Sequence, residues 1–231
     1  MQLAGMPSFL RGDGREEPTP DLRGETVPSK IVRSLEELIE VQKADALNGQ
    51  AQTEGKKNGA PAAPANNEID ISKLDIRVGV ITKAWFHEEA DKLFCEEIDI
   101  GEESPRRIAS GLRAHYNLED LEGQRVLVLA NLKARKLMNF PSHGMVLCAS
   151  GSDGTVKFVE PPADAAIGER VMVEGYDGEP ATENQVIKKK MLEDIFPDLK
   201  TDANGIPCYK GVPLSTSAGP CLPTLPNAEI A

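Results

Sequence analysis

Lys133, Arg135 and Lys136 put three cations into four consecutive positions, with Arg125 a little upstream, in a protein whose formal net charge is −11. Cations at this spacing suit phosphate oxygens, because each neutralises one charge and together they grip a backbone without reading its sequence. An ordinary solubilising cluster on a connection is the competing account. The flanks favour the first reading. Val126 to Ala130 is apolar without interruption and predicts a buried strand, and Met145 to Ala149 predicts a second. Between them, Asn139-Phe140-Pro141-Ser142-His143-Gly144 is turn-prone. The expectation is a cationic loop held between two core strands.

The elements that must hold this loop can be read in order. Residues 1–28 mix Gly, Pro and charge without apolar periodicity, and predict disorder. From Lys30 to Leu47, Val32, Leu35, Ile39, Gln42 and Ala46 fall at heptad-like spacing, with Ser34 and Glu37 placed for a capping box. Such a short amphipathic helix is marginal alone and needs a partner or its own core. Residues 48–67 form a Gly, Ala, Pro, Asn linker, so 1–70 reads as a flexible arm. A globular part then begins near Ile71.

Leu74, Ile76, Val78 and Val80 alternate with Asp75, Arg77 and Gly79, which predicts a half-buried strand running to Trp85 with Gly79 on its solvent face. Further strands are expected at Leu93–Ile100, Arg106–Ser110, Arg125–Leu132, Met145–Ser150, Val156–Val159 and Gly168–Val173, with one helical turn near Leu118. Short strands broken by Gly-rich turns predict a small closed barrel over 71–175. Residues 176–231 read as an extension, with a helix whose face is Ile187, Met191 and Ile195 and which ends at Pro197. Lys188, Lys189 and Lys190 are either a second phosphate contact or the helix's solvated face.

The segment from Asn131 resembles the tRNA-binding domain family of endothelial-monocyte-activating polypeptide II, the yeast tRNA-aminoacylation cofactor, a small bacterial tRNA chaperone and the C-terminal domains of methionyl- and tyrosyl-tRNA synthetases. The family pattern is close to N-L-K-P-x-K-M-R-G-x-x-S-x-G-M-V-L. Asn131, Leu132, Lys133, Lys136, Ser142, Gly144, Met145, Val146 and Leu147 match it. Ala134, Leu137, Met138 and Asn139 depart from it, and Met138 stands where the family commonly has Arg. Asp75 to Gly79, His87-x-x-Ala90-Asp91, Glu97 to Gly101, Pro105-Arg106, Ser110-Gly111-Leu112 and Glu160-Pro161-Pro162 also match in order. Glu88 replaces the family's Pro, which implies a less rigid turn after His87. The likeness covers about residues 72–223.

That resemblance implies an all-β, five-stranded OB-fold barrel with an α+β extension packed on it, the extension replacing the second subunit of the bacterial dimers. It implies binding to the outer corner of tRNA by shape and backbone. Lys133, Arg135 and Lys136 would meet phosphates, while Asn131, Ser142 and His143 would supply hydrogen bonds. Met145 and Phe140 would shape the loop floor, with Ser110, Gly111 and Arg77 nearby. The helix near 30–47 would dock on an aminoacyl-tRNA synthetase, adding effective concentration to a weak tRNA contact.

Composition agrees by exclusion. An aromatic content of 4% argues against a sheet paved with base-stacking rings. Cys95, Cys148, Cys208 and Cys221 lack C-x-x-C spacing, so free thiols are expected rather than zinc or disulfides. His87, His115 and His143 have no neighbouring nucleophile or ligand spacing, and neither a P-loop nor a synthetase signature occurs. No apolar run approaches a membrane span, and no signal-peptide core is evident. The expectation is a cytoplasmic, non-catalytic tRNA-binding cofactor of synthetases, with no metal, cofactor or small-molecule substrate. Two rivals remain open: an interaction module with weak or lost RNA binding, and a cytokine-like secreted polypeptide suggested by Arg77 to Thr82.

Overall fold

The computed structural model describes residues 68–231. The arm, its helix near 30–47 and the linker 48–67 lie outside the described residues. In chain order the first strands are β1 (Ile76–Phe86), β2 (Phe94–Asp99), β3 (Arg106–Ser110) and β4 (Arg125–Leu129). They are followed by β5 (Arg135–Leu137), β6 (Phe140–Ser142), β7 (Met145–Val146), β8 (Cys148–Ser150) and β9 (Val156–Phe158). One antiparallel sheet runs β3-β2-β1-β4-β7. Its two ends approach each other: the His143 N–H donates to the Arg107 carbonyl at 2.8 Å, and the Ala109 N–H donates to Ser142 Oγ at 3.1 Å. The result is the nearly closed barrel that the strand pattern predicts.

β4 explains why its sequence lacks polar alternation. Val126, Val128 and Ala130 enter the barrel interior with Ile81, Phe94, Ile98 and Ile108. Leu127 and Leu129 enter a second core on the other face, and both faces are buried. Each of the valines and leucines contributes about 1.5–3 kcal/mol on leaving water. Gly79 is also buried rather than solvent-facing: a Cβ there would stand 2.9 Å from Ile98 Cγ2. Glycine is required because β2 lies that close, and the bulge falls later, between Ile81 and Lys83.

The second core is built by the extension. Beyond β10 (Met172–Val173), where the barrel ends, it comprises α1 (Glu183–Lys188), α2 (Met191–Ile195), β11 (Leu199–Thr201), β12 (Pro207–Tyr209), β13 (Val212–Thr216), β14 (Gly219–Pro220) and β15 (Glu229–Ile230). Its sheet runs β10-β13-β12-β11-β15-β8-β9, so the last strand pairs with a barrel strand, Ile230 opposite Ala149. Val186, Met191, Ile195, Leu199, Tyr209 and Leu214 pack there with Leu127, Leu129 and Leu147. The expected single helix is two short ones. Thr182 and Gln185 cap α1 with a capping box, and Lys190 turns left-handed at φ 51° before α2. The break re-phases the chain so that Val186 and Met191 both reach the core, whereas Ile187 stays only half-buried. All four cysteines are free and buried. Among the described residues, no helix is long and apolar enough to cross a membrane.

Candidate nucleic-acid interface

The cationic segment is a hairpin rather than an open loop. β5 and β6 pair antiparallel, Arg135 with Ser142, Lys136 with Pro141 and Leu137 with Phe140. Met138 and Asn139 form the two-residue turn, with φ of 45° and 67°. Positive φ at both central residues is the geometry whose twist suits a tight hairpin; Asn tolerates it and Met does so at a cost. The turn thus falls at Met138 and Asn139, and Phe140 to Ser142, within the segment expected to turn, form β6. At the exit, Gly144 adopts φ 145°, and a Cβ there would meet the Leu129 carbonyl at 3.0 Å.

The hairpin is clamped against the β1–β2 turn. His87 is 7% exposed; its Nδ1 accepts the Glu89 N–H at 3.1 Å, which leaves Nε2–H to donate to the Leu137 carbonyl at 3.1 Å. Asn139 Nδ2 donates to Glu89 Oε2 at 3.0 Å across the tip. Phe140 packs edge-on against both Trp85 and His87, with ring centroids 6.0 Å apart in each pair. The turn lacking the family proline is thus held by side chains instead. Phe140 is half-buried where the hairpin meets β1, and Met145 is half-buried against the second core.

The side chains named from sequence separate into two groups. Lys133, Lys136 and His143 are exposed, and Arg135 is partly exposed on the same hairpin. Met138, at the tip, is 58% exposed. Asn131 and Ser142 point inward. Asn131 Oδ1 accepts the Asp75 N–H at 2.9 Å, while its Nδ2 donates to the carbonyls of Lys73 at 2.8 Å and Ala181 at 2.9 Å. Ser142 Oγ accepts from Ala109 and donates to the Gly144 carbonyl at 3.3 Å. Both residues fix the ends of the hairpin.

Four other sites complete the picture. Arg77 is held by both Asp75 oxygens, at 3.1 and 3.0 Å from its Nε. Arg125, at the far end of β4, donates to the Ala165 carbonyl, away from the hairpin. Lys188 and Lys189 are exposed on α1 and its cap, and Lys190 pairs with Glu193 at 3.8 Å. Gly111 is exposed, but Ser110 Oγ donates to Glu96 Oε1. Glu96 is fully buried, and burial raises its carboxyl to about 7 against the opposing pull of the Ser110 hydroxyl. Among the described residues no group of acidic, His and Cys side chains could hold a metal. Sequence reasoning missed the clamp residues Trp85 and Glu89, whose roles depend on contacts about fifty positions away.

Comparison with known proteins places this geometry. Residues 76–170 match the family described as "Putative tRNA binding domain". The chain is 41% identical over 229 residues to a probable methionine–tRNA ligase of Oryza sativa subsp. japonica, covering 94% of this chain and 28% of that protein. It is 39% identical over 177 residues to the aminoacyl tRNA synthase complex-interacting multifunctional protein 1 of Mus musculus, covering 76% of this chain and 56% of that one. The chain thus spans from 28% to 56% of the length of these relatives. The crystal structure of the C-terminal domain of Plasmodium vivax p43 superposes with a TM-score of 0.66 at 36% identity, covering 71% of this chain and 100% of that one. With the family's domain at residues 76–170 and a barrel plus extension shared with that solved domain, the chain belongs to the tRNA-binding domain family.

Proposed function

We propose that this protein is a structure-selective tRNA-binding protein that serves aminoacyl-tRNA synthetases as a non-catalytic cytoplasmic cofactor. The observation that carries the reading is the hairpin of β5 and β6, which presents Lys133, Lys136 and His143 to solvent while His87 and Asn131 hold it to the barrel. Arg135 belongs to the same surface. A rigid cationic finger matches phosphates at fixed spacing without reading bases, which suits a folded RNA recognised by shape. In this reading Asn131 and Ser142 position the finger rather than touch RNA. Lys188 and Lys189 are secondary phosphate contacts. The segment 30–47 docks on a synthetase, so the enzyme's own tRNA affinity and this one add through effective concentration.

The test is filter binding of bulk tRNA over a salt series, for the parent and for a Lys133→Ala, Arg135→Ala, Lys136→Ala variant. The expected result is a large loss of affinity in the variant and a salt slope shallower by about three units. A variant that binds as the parent does moves the assignment to a protein-interaction module. Removing residues 1–70 should leave binding to isolated tRNA intact while abolishing co-purification with a synthetase.

A further inference from the structure

An open groove of about 630 Å³ lies between the end of β1, the start of β2 and the segment 113–122. Phe86, the last residue of β1, is 47% exposed at its wall and precedes the finger's anchor His87. The Phe86 ring stacks on Phe94, with centroids 5.6 Å apart and planes 28° apart. The Arg113 guanidinium lies over the same ring, 4.3 Å from its centre, and pairs with Asp91 at 4.0 Å. Phe94, Phe86 and Arg113 therefore form a short cluster of planar groups, one of them a cation. Arg113 follows directly on Ser110-Gly111-Leu112, the neighbouring loop singled out in the sequence.

We propose that this groove takes an unpaired nucleobase of the same RNA, stacked on Arg113. The inference rests on the tRNA-binding reading and deepens it. Guanidinium planes and aromatic rings stack bases in single-stranded recognition. Glu119 and Glu122 also line the groove, and Glu122 accepts the Ala84 N–H at 3.3 Å. Carboxylates beside the cluster repel phosphate, so the groove does not extend the backbone track. They accept hydrogen bonds from exocyclic amino groups, which favours adenine, cytosine or guanine over uracil.

The experiment titrates the full chain with a short single-stranded oligoadenylate carrying one 2-aminopurine, whose fluorescence falls on stacking. Quenching is expected with the parent, with binding about tenfold weaker in Phe86→Leu and in Arg113→Lys. Arg113→Lys keeps the charge and loses the plane, so its salt slope should equal the parent's. Oligouridylate should compete several-fold less well than oligoadenylate. No quenching by the parent, or variants that quench as the parent does, overturns the inference. So does an Arg113→Lys protein of full affinity whose Arg113→Ala counterpart has a shallower salt slope, since Arg113 is then a phosphate contact. The Lys133, Arg135, Lys136 triple alanine variant reports separately on the finger through tRNA binding. If it loses tRNA yet still quenches, the groove is a second, independent contact.

Discussion

The side-chain amide of Asn131 donates to the carbonyl of Ala181 at 2.9 Å, tying the first residue of the cationic segment to the extension one residue before the cap of α1. With the bonds to Asp75 and Lys73, the amide joins the hairpin base, the start of β1 and the extension at one buried point. Extension and finger are thereby coupled through one side chain.

Replacing Asn131 by Ala should strand the Asp75 N–H and the Ala181 carbonyl, while the Lys73 carbonyl keeps its bond from the Ala181 N–H at 2.9 Å, costing about 2 kcal/mol in urea unfolding. tRNA affinity should fall while the salt slope stays that of the parent, because a positioning residue removes no counterion release. A slope shallower by one unit would instead make Asn131 a direct contact.

Lys133→Ala and Lys136→Ala should each weaken all tRNAs about equally and lower the salt slope by roughly one unit. Melting temperatures should barely move, because both side chains are solvated. Binding isotherms at several salt concentrations read both quantities.

Met138→Arg should be as stable as the parent, since position 138 is 58% exposed and an arginine there stays hydrated. Affinity at low salt should rise and the slope steepen by about one unit. Met138→Gly should stabilise the hairpin by about 1 kcal/mol, because the left-handed φ of 45° no longer opposes a Cβ. A destabilised Met138→Gly protein would contradict that account of the turn.

Glu96 should make stability fall as pH rises. Its folded value of about 7 lies above the ordinary 4.5, so between those limits the folded state binds more protons than the unfolded chain. The carboxyl's native environment therefore favours folding below pH 4.5, and the benefit is lost as pH climbs through 7. The total is on the order of 3 kcal/mol. Glu96→Gln should flatten this dependence in urea melts at successive pH values. A parent curve that stays level from pH 5 to 7 would refute it.

Deleting residues 176–231 should uncover Leu127, Leu129, Leu147 and Ala149, which are each fully buried against the extension. The shortened protein should bind a hydrophobic dye and self-associate in sedimentation. A well-behaved monomer would show that the barrel does not need this cover.

The order of residues already shows which segments are core strands and where the cations gather. An unbroken apolar run such as Val126 to Ala130 can only be covered on both faces, and the motif from Asn131 to Leu147 belongs to a known family. It did not determine which polar side chains turn inward. Asn131 and Ser142 carry the same donors and acceptors whether they face RNA or backbone, and only packing shows their partners, 56 and 33 positions away. The hairpin itself was hidden because its turn uses Met138 rather than glycine, and its strands are stabilised by Trp85 and His87 instead of by local pattern. The break at Lys190 was hidden likewise, since helical periodicity ran straight through it and the demands of the second core overrode that periodicity. Periodicity reports which face of an element is buried. Hydrogen-bond satisfaction between distant segments decides the rest, and that is fixed only when the barrel closes and the last strand, β15, pairs with β8.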